Sequence, residues 1–272
     1  MKKIILLFVV AFVCVFSTGD LFAKGKVKVD KALEHAARQY LYMRDELKGT
    51  NQFPKTYDKH MQRLKTSNSE WWCSGFYPGT LFYLYEETGN EELYAEGVRM
   101  LKLLEPEQYN VNTHDVGFMM YCSFGNAYRL TQNEKYKDIL IQSAYSLATR
   151  FNPQVGTIKS WDSWRSWENK HVFKYPVIID NMMNLELLFW ASKATGDPSF
   201  RNIAISHAEK TMKYQIRKDG SSYHLACYDP ETGNFIKGET SQGYSNESTW
   251  SRGQGWGIYG FTLCYRETKD PR

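Results

Sequence analysis

The sequence predicts an all-α protein built from stacked helical hairpins, and three observations support this fold class. Apolar residues recur at helical spacing through most of the 272 residues. A short turn motif recurs between consecutive predicted helices. Strand patterns are weak and confined to about residues 222–238, where SSYHLACYDPETGNFIKG is typical of a β-hairpin. Stacked hairpins of this kind form either an open solenoid or a closed toroid.

The N-terminal stretch MKKIILLFVVAFVCVFSTGDLFAKG is typical of a secretory signal peptide. Two lysines precede an apolar run from Ile4 to Phe16, and the small residue Ala23 marks the expected cleavage point. The run is short for a membrane-spanning helix, and the setting of Cys14 makes a lipoprotein anchor the less favoured interpretation. We therefore predict a signal peptide at 1–23, export, and no stable membrane association.

Eight segments after this leader carry the helical pattern. The first, VDKALEHAARQYLYMRDEL, places Leu33, Ala37, Tyr40 and Leu41 on one side. The second follows a Pro-Gly pair that is typical of a helix start. The predicted helices occupy 29–47, 78–88, 91–105, 116–130, 133–150, 180–194, 198–216 and 252–267.

The predicted helices come in pairs that are joined by similar turns. EETGNEELY, RLTQNEKY and KATGDPSF each contain a threonine, a turn residue, an Asn or Asp suited to cap the next helix, and a nearby aromatic residue. A fourth copy, RETKDPR, stands at the end of the sequence. This copy predicts that the hairpin domain, residues 24–272, is incomplete at its C-terminus.

The first helix of each pair is expected to lie inside and the second outside. The inner helices would be 78–88, 116–130, 180–194 and 252–267. They are preceded by the unusual stretches EWWCSGFYPG, VNTHDVGF, VIID and STWSRGQGWG, and the connection before the third contains SWDSWRSWENK. Long aromatic loops at one end of a helical stack predict a binding mouth there.

Composition narrows the classes of function. The net charge is +4 with scattered Lys and Arg, so nucleic-acid binding is not expected. The four cysteines after the leader and the six histidines show no metal-ligand spacing, so we predict no metal and no disulfide scaffold. The 8 Trp, 19 Tyr and 15 Phe could stack on sugar rings or fill the core, and composition alone does not choose.

Asp115 and Asp180 each stand directly before an inner helix. Taken singly, such a residue is more often a helix N-cap. Taken together, beside His114 and the tryptophans of the loops, the two residues indicate a carboxylate pair for acid–base work on sugars. A helix N-terminus lowers the pKa of an aspartate, whereas burial and a second carboxylate raise it.

WSRGQGWG lacks the spacing of a phosphate-binding loop, and Trp256 is bulky for one, so a nucleotide site is not expected. Arg252 offers a planar fork suited to a carboxylate or sulfate, and its alternative role is an ordinary salt bridge.

Four stretches carry a family resemblance that extends from about residue 28 to the end. WWCSGFYPGTLFYLYEETGN, NTHDVGFMMYCSFGNAYRLT, VIIDNMMNLELLFWAS and SQGYSNESTWSRGQGWGIYGF resemble the unsaturated glucuronyl hydrolases, glycoside hydrolase family 88. The related unsaturated rhamnogalacturonyl hydrolases share the fold and an aspartate pair, but they match these motifs less well. The resemblance implies an (α/α)6 barrel of six hairpins.

The resemblance also implies a reaction. The expected substrates are oligosaccharides from glycosaminoglycan lyases that bear a 4,5-unsaturated uronic acid at the non-reducing end. The double bond is hydrated: C4 is protonated, water adds at C5, and the resulting hemiketal opens to release the remaining sugar. No cofactor and no obligate protein partner are implied, and short oligosaccharide substrates favour the periplasm.

The positions of the motifs imply roles for individual residues. Asp180 matches the general acid and base, and Asp115 the second essential aspartate. The implied substrate-binding residues are Trp72, His114, Phe118, Trp161, His224, Gln242, Arg252 and Trp256, with Trp164 and Trp167 as alternatives to Trp161. The alternative functions are an unsaturated rhamnogalacturonyl hydrolase and a non-catalytic glycan-binding fragment.

Overall fold

The computed structural model describes residues 28–272, so the predicted signal peptide lies outside the described residues. The helices are α1 (28–46), α2 (Phe76–Thr88), α3 (Glu91–Leu104), α4 (Val116–Met120), α5 (Asn126–Thr131), α6 (Glu134–Ala148), α7 (Asn181–Thr195), α8 (Pro198–Tyr214) and α9 (Ser251–Thr268). A π-helical turn, Tyr121–Gly125, joins α4 to α5, and a 3₁₀ turn, Glu105–Tyr109, follows α3. All eight predicted helices are present, and their ends lie within two residues of the predicted ones.

The predicted hairpin turn forms four times with the same geometry. A residue with positive φ follows each threonine, and these residues are Gly89, Gln132, Gly196 and Lys269. Each threonine hydroxyl donates to the carbonyl four residues earlier and accepts the N–H two residues later, at 2.6–2.8 Å and 3.1–3.3 Å respectively. The Asn or Asp that follows accepts the N–H two residues further on, and in the first three turns this satisfies an otherwise unpaired donor at the start of the next helix.

The helices form two layers, as the pairing pattern predicts. α7 packs between α4 and α9, and α2 packs against the α4–α5 segment. α3, α6 and α8 each pack on the first helix of their own pair. The main core lies between the layers and includes Leu81, Phe82, Met119, Leu185 and Leu188, which are all fully buried.

Glycines let the inner helices approach one another closely. A Cβ added to Gly79 of α2 would lie 2.3 Å from the carbonyl oxygen of Cys122. A Cβ on Gly260 of α9 would lie 2.4 Å from the Met182 side chain of α7. Because these contacts involve neighbouring helix backbones, the inner helices converge, and so do the loops that precede them.

The expectation that strands are confined to about 222–238 is wrong. β8 (Leu225–Tyr228) and β9 (Phe235–Glu239) form the predicted hairpin, and β7 (Tyr175–Ile178) pairs with the other side of β8. Three further hairpins are β1 (Phe53–Asp58) with β2 (Arg63–Ser67), β3 (Phe151–Asn152) with β4 (Thr157–Ile158), and β5 (Trp164–Arg165) with β6 (Val172–Phe173). β7 has no polar–apolar alternation because all four of its residues are buried, and β3 to β6 are too short to show a period.

The β7–β8 pairing matters for the site because it joins two distant parts of the chain. Ile178 pairs with Leu225, and the Ile179 N–H donates to the His224 carbonyl at 2.9 Å. Asp180 lies two residues after the end of β7, and His224 directly precedes β8. The sheet therefore places the two side chains next to each other.

Candidate active site

Asp180 is buried at the junction of β7 and α7. Its residue exposure is 8%, and its side chain makes no capping bond to the start of α7. Asp115 likewise makes no side-chain capping bond to α4. The N-cap interpretation is therefore wrong for both side chains. The Oδ2 atom of Asp180 is buried and has no hydrogen-bond partner among residues 28–272.

Burial dominates the acidity of Asp180. It raises the pKa of this carboxyl from 3.8 to about 6, and the charge of Asp115 acts in the same direction. His114, the local backbone N–H and Arg252 lower it, but together they do not offset the loss of hydration. Asp180 can thus be protonated close to neutral pH, which a general acid requires.

Asp115 is held by its neighbours and stays partly open to solvent. The Thr113 hydroxyl donates to its Oδ2 at 2.8 Å, and the side chain is 23% exposed. Its Oδ1 lies 3.2 Å from Nε2 of His114, with off-axis hydrogen-bond geometry. Asp115 is therefore fixed beside Asp180 and coupled to it by charge.

The surroundings of His114 determine which nitrogen bears hydrogen. Its Nδ1 lies 3.1 Å from the Ser160 carbonyl oxygen, which can only accept, so Nδ1 is the donor. A neutral ring would then turn the lone pair of Nε2 toward the Asp115 carboxylate.

His224 has the opposite tautomer. Its Nδ1 accepts backbone N–H groups from Ser241 at 2.9 Å and Gln242 at 3.3 Å, so the ring hydrogen lies on Nε2. That Nε2 is buried and lies 3.9 Å from Oδ2 of Asp180. Burial lowers the pKa of His224 to about 3, so the ring is neutral and presents an N–H donor to the site.

Tryptophans and a guanidinium form the walls around the two aspartates. Trp161 and Trp250 contact His224 with ring centroids 6.2 and 4.6 Å away. The Arg252 guanidinium lies 5.2 Å from the Trp72 ring and 4.4 Å from the Trp250 ring, and it donates to Gln242 at 2.7 Å. Its contacts within residues 28–272 include no ion pair, which leaves the fork free to bind an anion.

Two of the other predicted binding residues, Phe118 and Trp256, pack against the core, and the two alternatives to Trp161 lie away from His224. Phe118 is buried beneath Trp72, with centroids 6.1 Å apart. Trp256 packs against the core, and its buried Nε1 has no partner among the described residues. Trp164 contacts Trp161 but not His224, whereas Trp167 is 52% exposed, so Trp161 is the member of the loop that faces the histidine.

Sequence reasoning missed residues that hold the site together. Trp250 was visible in the stretch before α9, but nothing in the sequence connected it with His224. A hydrogen-bonded row also links the inner helices: Phe118 N–H donates to Asn184, Asn184 to Asn181, and Asn181 to the Ser160 hydroxyl, at 2.8–3.0 Å. No sequence motif predicts these hydrogen bonds. Two of them join residues that are far apart in the sequence, and the third joins two asparagine side chains within α7.

The described part of the chain contains neither a metal-binding cluster nor a membrane-spanning helix. Within residues 28–272, no group of three or more His, Cys, Asp or Glu side chains is arranged to hold a metal ion. No helix in the same range combines the length and the apolarity needed to cross a bilayer.

A family model described as Glycosyl Hydrolase Family 88 matches residues 30–270. The chain belongs to glycosyl hydrolase family 88. Within the family it is similar to an unsaturated glucuronyl hydrolase of Formosa agariphila, with 44% identity over 82% of this chain and 55% of the relative. An unsaturated chondroitin disaccharide hydrolase of Streptococcus pyogenes serotype M1 is 35% identical over 89% of this chain and 60% of the relative.

Solved structures of family 88 proteins have the same architecture. A crystal structure described as an unsaturated glucuronyl hydrolase specific for heparin superposes with a TM-score of 0.81 and 43% identity, over 89% of this chain and 62% of that chain. The predicted (α/α)6 architecture is thereby confirmed, and residues 28–272 contribute to it α1, three complete hairpins and α9, the first helix of a fourth. The chain spans about 55–60% of the length of these two family 88 relatives.

Proposed function

We propose that this family 88 chain hydrates the C4=C5 double bond of a 4,5-unsaturated uronic acid at the non-reducing end of an oligosaccharide. The observation that carries the proposal is the Asp180 carboxyl, which is buried, has a pKa of about 6 and turns an unpartnered oxygen toward the His224 N–H. Glycosaminoglycan-derived substrates are supported by the chondroitin named for one relative and the heparin named for one solved structure. The product is a saturated hemiketal that opens and releases the remaining sugar.

Asp180 acts first as an acid and then as a base. Its proton passes to C4, and positive charge develops at C5, shared with the ring oxygen. The carboxylate that remains then takes a proton from water as the water oxygen bonds to C5. Asp180 is thus reprotonated when the hemiketal forms, and the two steps together add one water molecule to the double bond.

The surrounding residues bind the substrate and support the charge changes. The neutral His224 donor and the unpaired Arg252 fork suit the oxygens and the carboxylate of the uronic acid. Trp161, Trp72 and Trp250 provide flat apolar faces for the sugar ring. Burial keeps the proton on Asp180, the charge of Asp115 acts in the same direction, and that charge can also stabilise the positive charge at C5.

The test is the disappearance of the ultraviolet absorbance of the conjugated double bond in unsaturated chondroitin or hyaluronan disaccharides. The proposal predicts turnover of these compounds, no comparable cleavage of saturated glucuronides, and one solvent deuterium at C4 in the initial product formed in D₂O. Equal cleavage of saturated glucuronides would exclude hydration. A reaction limited to unsaturated rhamnogalacturonan products would select the alternative enzyme, and binding without turnover would indicate a glycan-binding role.

We also propose that the protein is exported to a periplasm, since residues 1–23 have the composition of a signal peptide. The expected mature N-terminus is Lys24. Cell fractionation followed by N-terminal sequencing checks this, and a cytoplasmic protein that retains Met1 would contradict it.

A further inference from the structure

The loop that carries Trp161 has little regular structure of its own. We call residues 160–174 the aromatic loop. Within it, only the two-residue strands β5 and β6 pair with each other. Trp161, Trp164 and Trp167 follow one another along the loop, with successive centroids 5.7 and 5.8 Å apart. Something outside the loop must therefore set the orientation of these rings.

A buried glutamate at the end of β9 contacts the loop at two points. Glu239 is 1% exposed, and its Oε2 accepts the Trp164 indole N–H at 2.7 Å. Its Oε1 accepts the Ser166 hydroxyl at 2.6 Å, and the Lys237 ammonium lies 3.1 Å from the same oxygen. All these partners are donors, so the carboxylate is satisfied in a single orientation.

The contacts continue from Glu239 to the reacting groups. Glu239 holds Trp164, Trp164 packs against Trp161, and Trp161 contacts His224 edge-on. The Nε2 of His224 faces Asp180. Replacing a buried charged residue by a well-packed apolar one often costs little stability. The hydrogen bonds that Glu239 accepts from the loop are therefore the more informative evidence for its role.

Resting on the function proposed above, we propose that Glu239 is a positioning residue that sets substrate affinity by orienting Trp164 and, through it, Trp161. Glu239 does not touch the reacting atoms. Its loss should therefore weaken binding of the sugar more than it slows the chemical step.

Three variants separate this role from simple stabilisation. Glu239→Leu keeps much of the volume and removes both acceptors. Glu239→Gln keeps an oxygen for the Trp164 N–H, and its amide can donate to the Ser166 hydroxyl. The Lys237 ammonium can no longer pair with that atom but keeps Glu168 as a partner at 2.8 Å. Trp164→Phe removes only the indole donor and part of the ring. Glu96→Leu is the matched control, because Glu96 is also a buried carboxylate, 5% exposed, paired with Arg99 on the outer helix α3.

We expect Glu239→Leu to raise KM roughly tenfold, the scale of one lost hydrogen bond, and to change kcat less than about twofold. Glu239→Gln should remain near the parent value. Adding Glu239→Leu to Trp164→Phe should cause little further loss, since both changes remove the same bond. Glu96→Leu should lower stability without changing KM. An unchanged KM in Glu239→Leu, or full additivity with Trp164→Phe, would overturn the proposal.

A second measurement does not depend on turnover. In protein labelled with 5-fluorotryptophan, the Trp161 resonance is assigned with Trp161→Phe. It should shift or broaden in Glu239→Leu and stay in place in Glu239→Gln and Glu96→Leu. If the parent protein turns over no unsaturated substrate, the proposed function fails while this spectrum still tests the positioning role. An unmoved Trp161 resonance in Glu239→Leu would contradict the positioning role by itself.

Discussion

At the scale of single residues, the burial that suits the Asp180 carboxyl to its proposed role as an acid also lowers the stability of the fold. Its pKa is raised from 3.8 to about 6 when the protein folds, chiefly by burial. Between these pH values the folded state binds more protons than the unfolded state, so stability falls as pH rises. Above pH 6 the ionised side chain lowers the free energy of unfolding by roughly 3 kcal/mol, from the size of the pKa shift.

Asp180→Asn tests both properties. The amide cannot donate and recover a proton, so turnover should fall by roughly a factor of 100 or more. At pH 7 the variant should unfold at a higher temperature than the parent, because it buries no charge, and below pH 4 the two should converge. Thermal unfolding at both pH values, measured beside kcat, checks this. A variant that unfolds at lower temperature yet retains its turnover would show that Asp180 is structural only.

His114 and Asp115 should shift the acidity of Asp180 in opposite directions. Asp115 raises the pKa of Asp180, and His114 lowers it. In the proposed mechanism protonated Asp180 is the active form, so the alkaline limb of the rate profile should follow its pKa. Asp115→Asn should move that limb toward acid and His114→Gln toward alkali, in pH profiles of residual activity. Movement of both limbs in the same direction would contradict the coupling.

At the scale of elements, the repeated hairpin turn shows that hydrogen bonds between neighbouring residues can determine the local backbone conformation. Two of its four left-handed positions carry glycine, Gly89 and Gly196, and two carry longer residues, Gln132 and Lys269. A side chain in this region of φ is strained by contact between its Cβ and the backbone, and glycine avoids that strain. The turn forms in all four cases because the threonine and cap bonds offset the strain.

Reciprocal substitutions measure this strain. A Cβ at Gly196 meets no atom within 4 Å, so Gly196→Gln should destabilise the protein by about 1 kcal/mol through the backbone alone. Gln132→Gly should raise stability by at most about the same amount, because the substitution also removes two hydrogen bonds from the Gln132 side chain to backbone carbonyls. Urea unfolding gives both values. Equal destabilisation by the two changes would refute the strain argument.

At the scale of the whole molecule, close helix packing brings the site together. Asp115, Asp180 and Arg252 lie at or near the starts of α4, α7 and α9, and these helices are neighbours. The glycine contacts between inner helices shorten the distance between axes, so three loops from distant parts of the chain meet at one mouth. The proposed catalytic pair depends on this convergence.

Two glycines of α9 provide a matched test. Gly260→Ala places a Cβ 2.4 Å from Met182, so it should destabilise the protein by roughly 2–3 kcal/mol, the scale of an overpacked interior. Gly255 is exposed, and a Cβ there meets nothing within 4 Å, so Gly255→Ala should be neutral or stabilise by up to about 1 kcal/mol. Urea unfolding compares them. Similar values for the two variants would mean that the α7–α9 approach is not tight.

The amino-acid sequence by itself determined the helices, their pairing and the positions of the two aspartates before inner helices. Helical periodicity, caps and threonine turns act over three or four residues, so they are visible in the sequence. The small strands were missed because β3 to β6 have two residues each and β7 is buried throughout. Their pairing depends on partners elsewhere in the fold.

Only the tertiary structure decided the state of the site. The pKa of Asp180 depends on burial by surrounding segments, and the ring hydrogens of His114 and His224 depend on backbone groups 46 and 17 residues away. The orientation of Trp161 depends on a chain of contacts that begins at Glu239. Desolvation and hydrogen-bond direction are properties of the packed molecule, and no local pattern in the sequence records them.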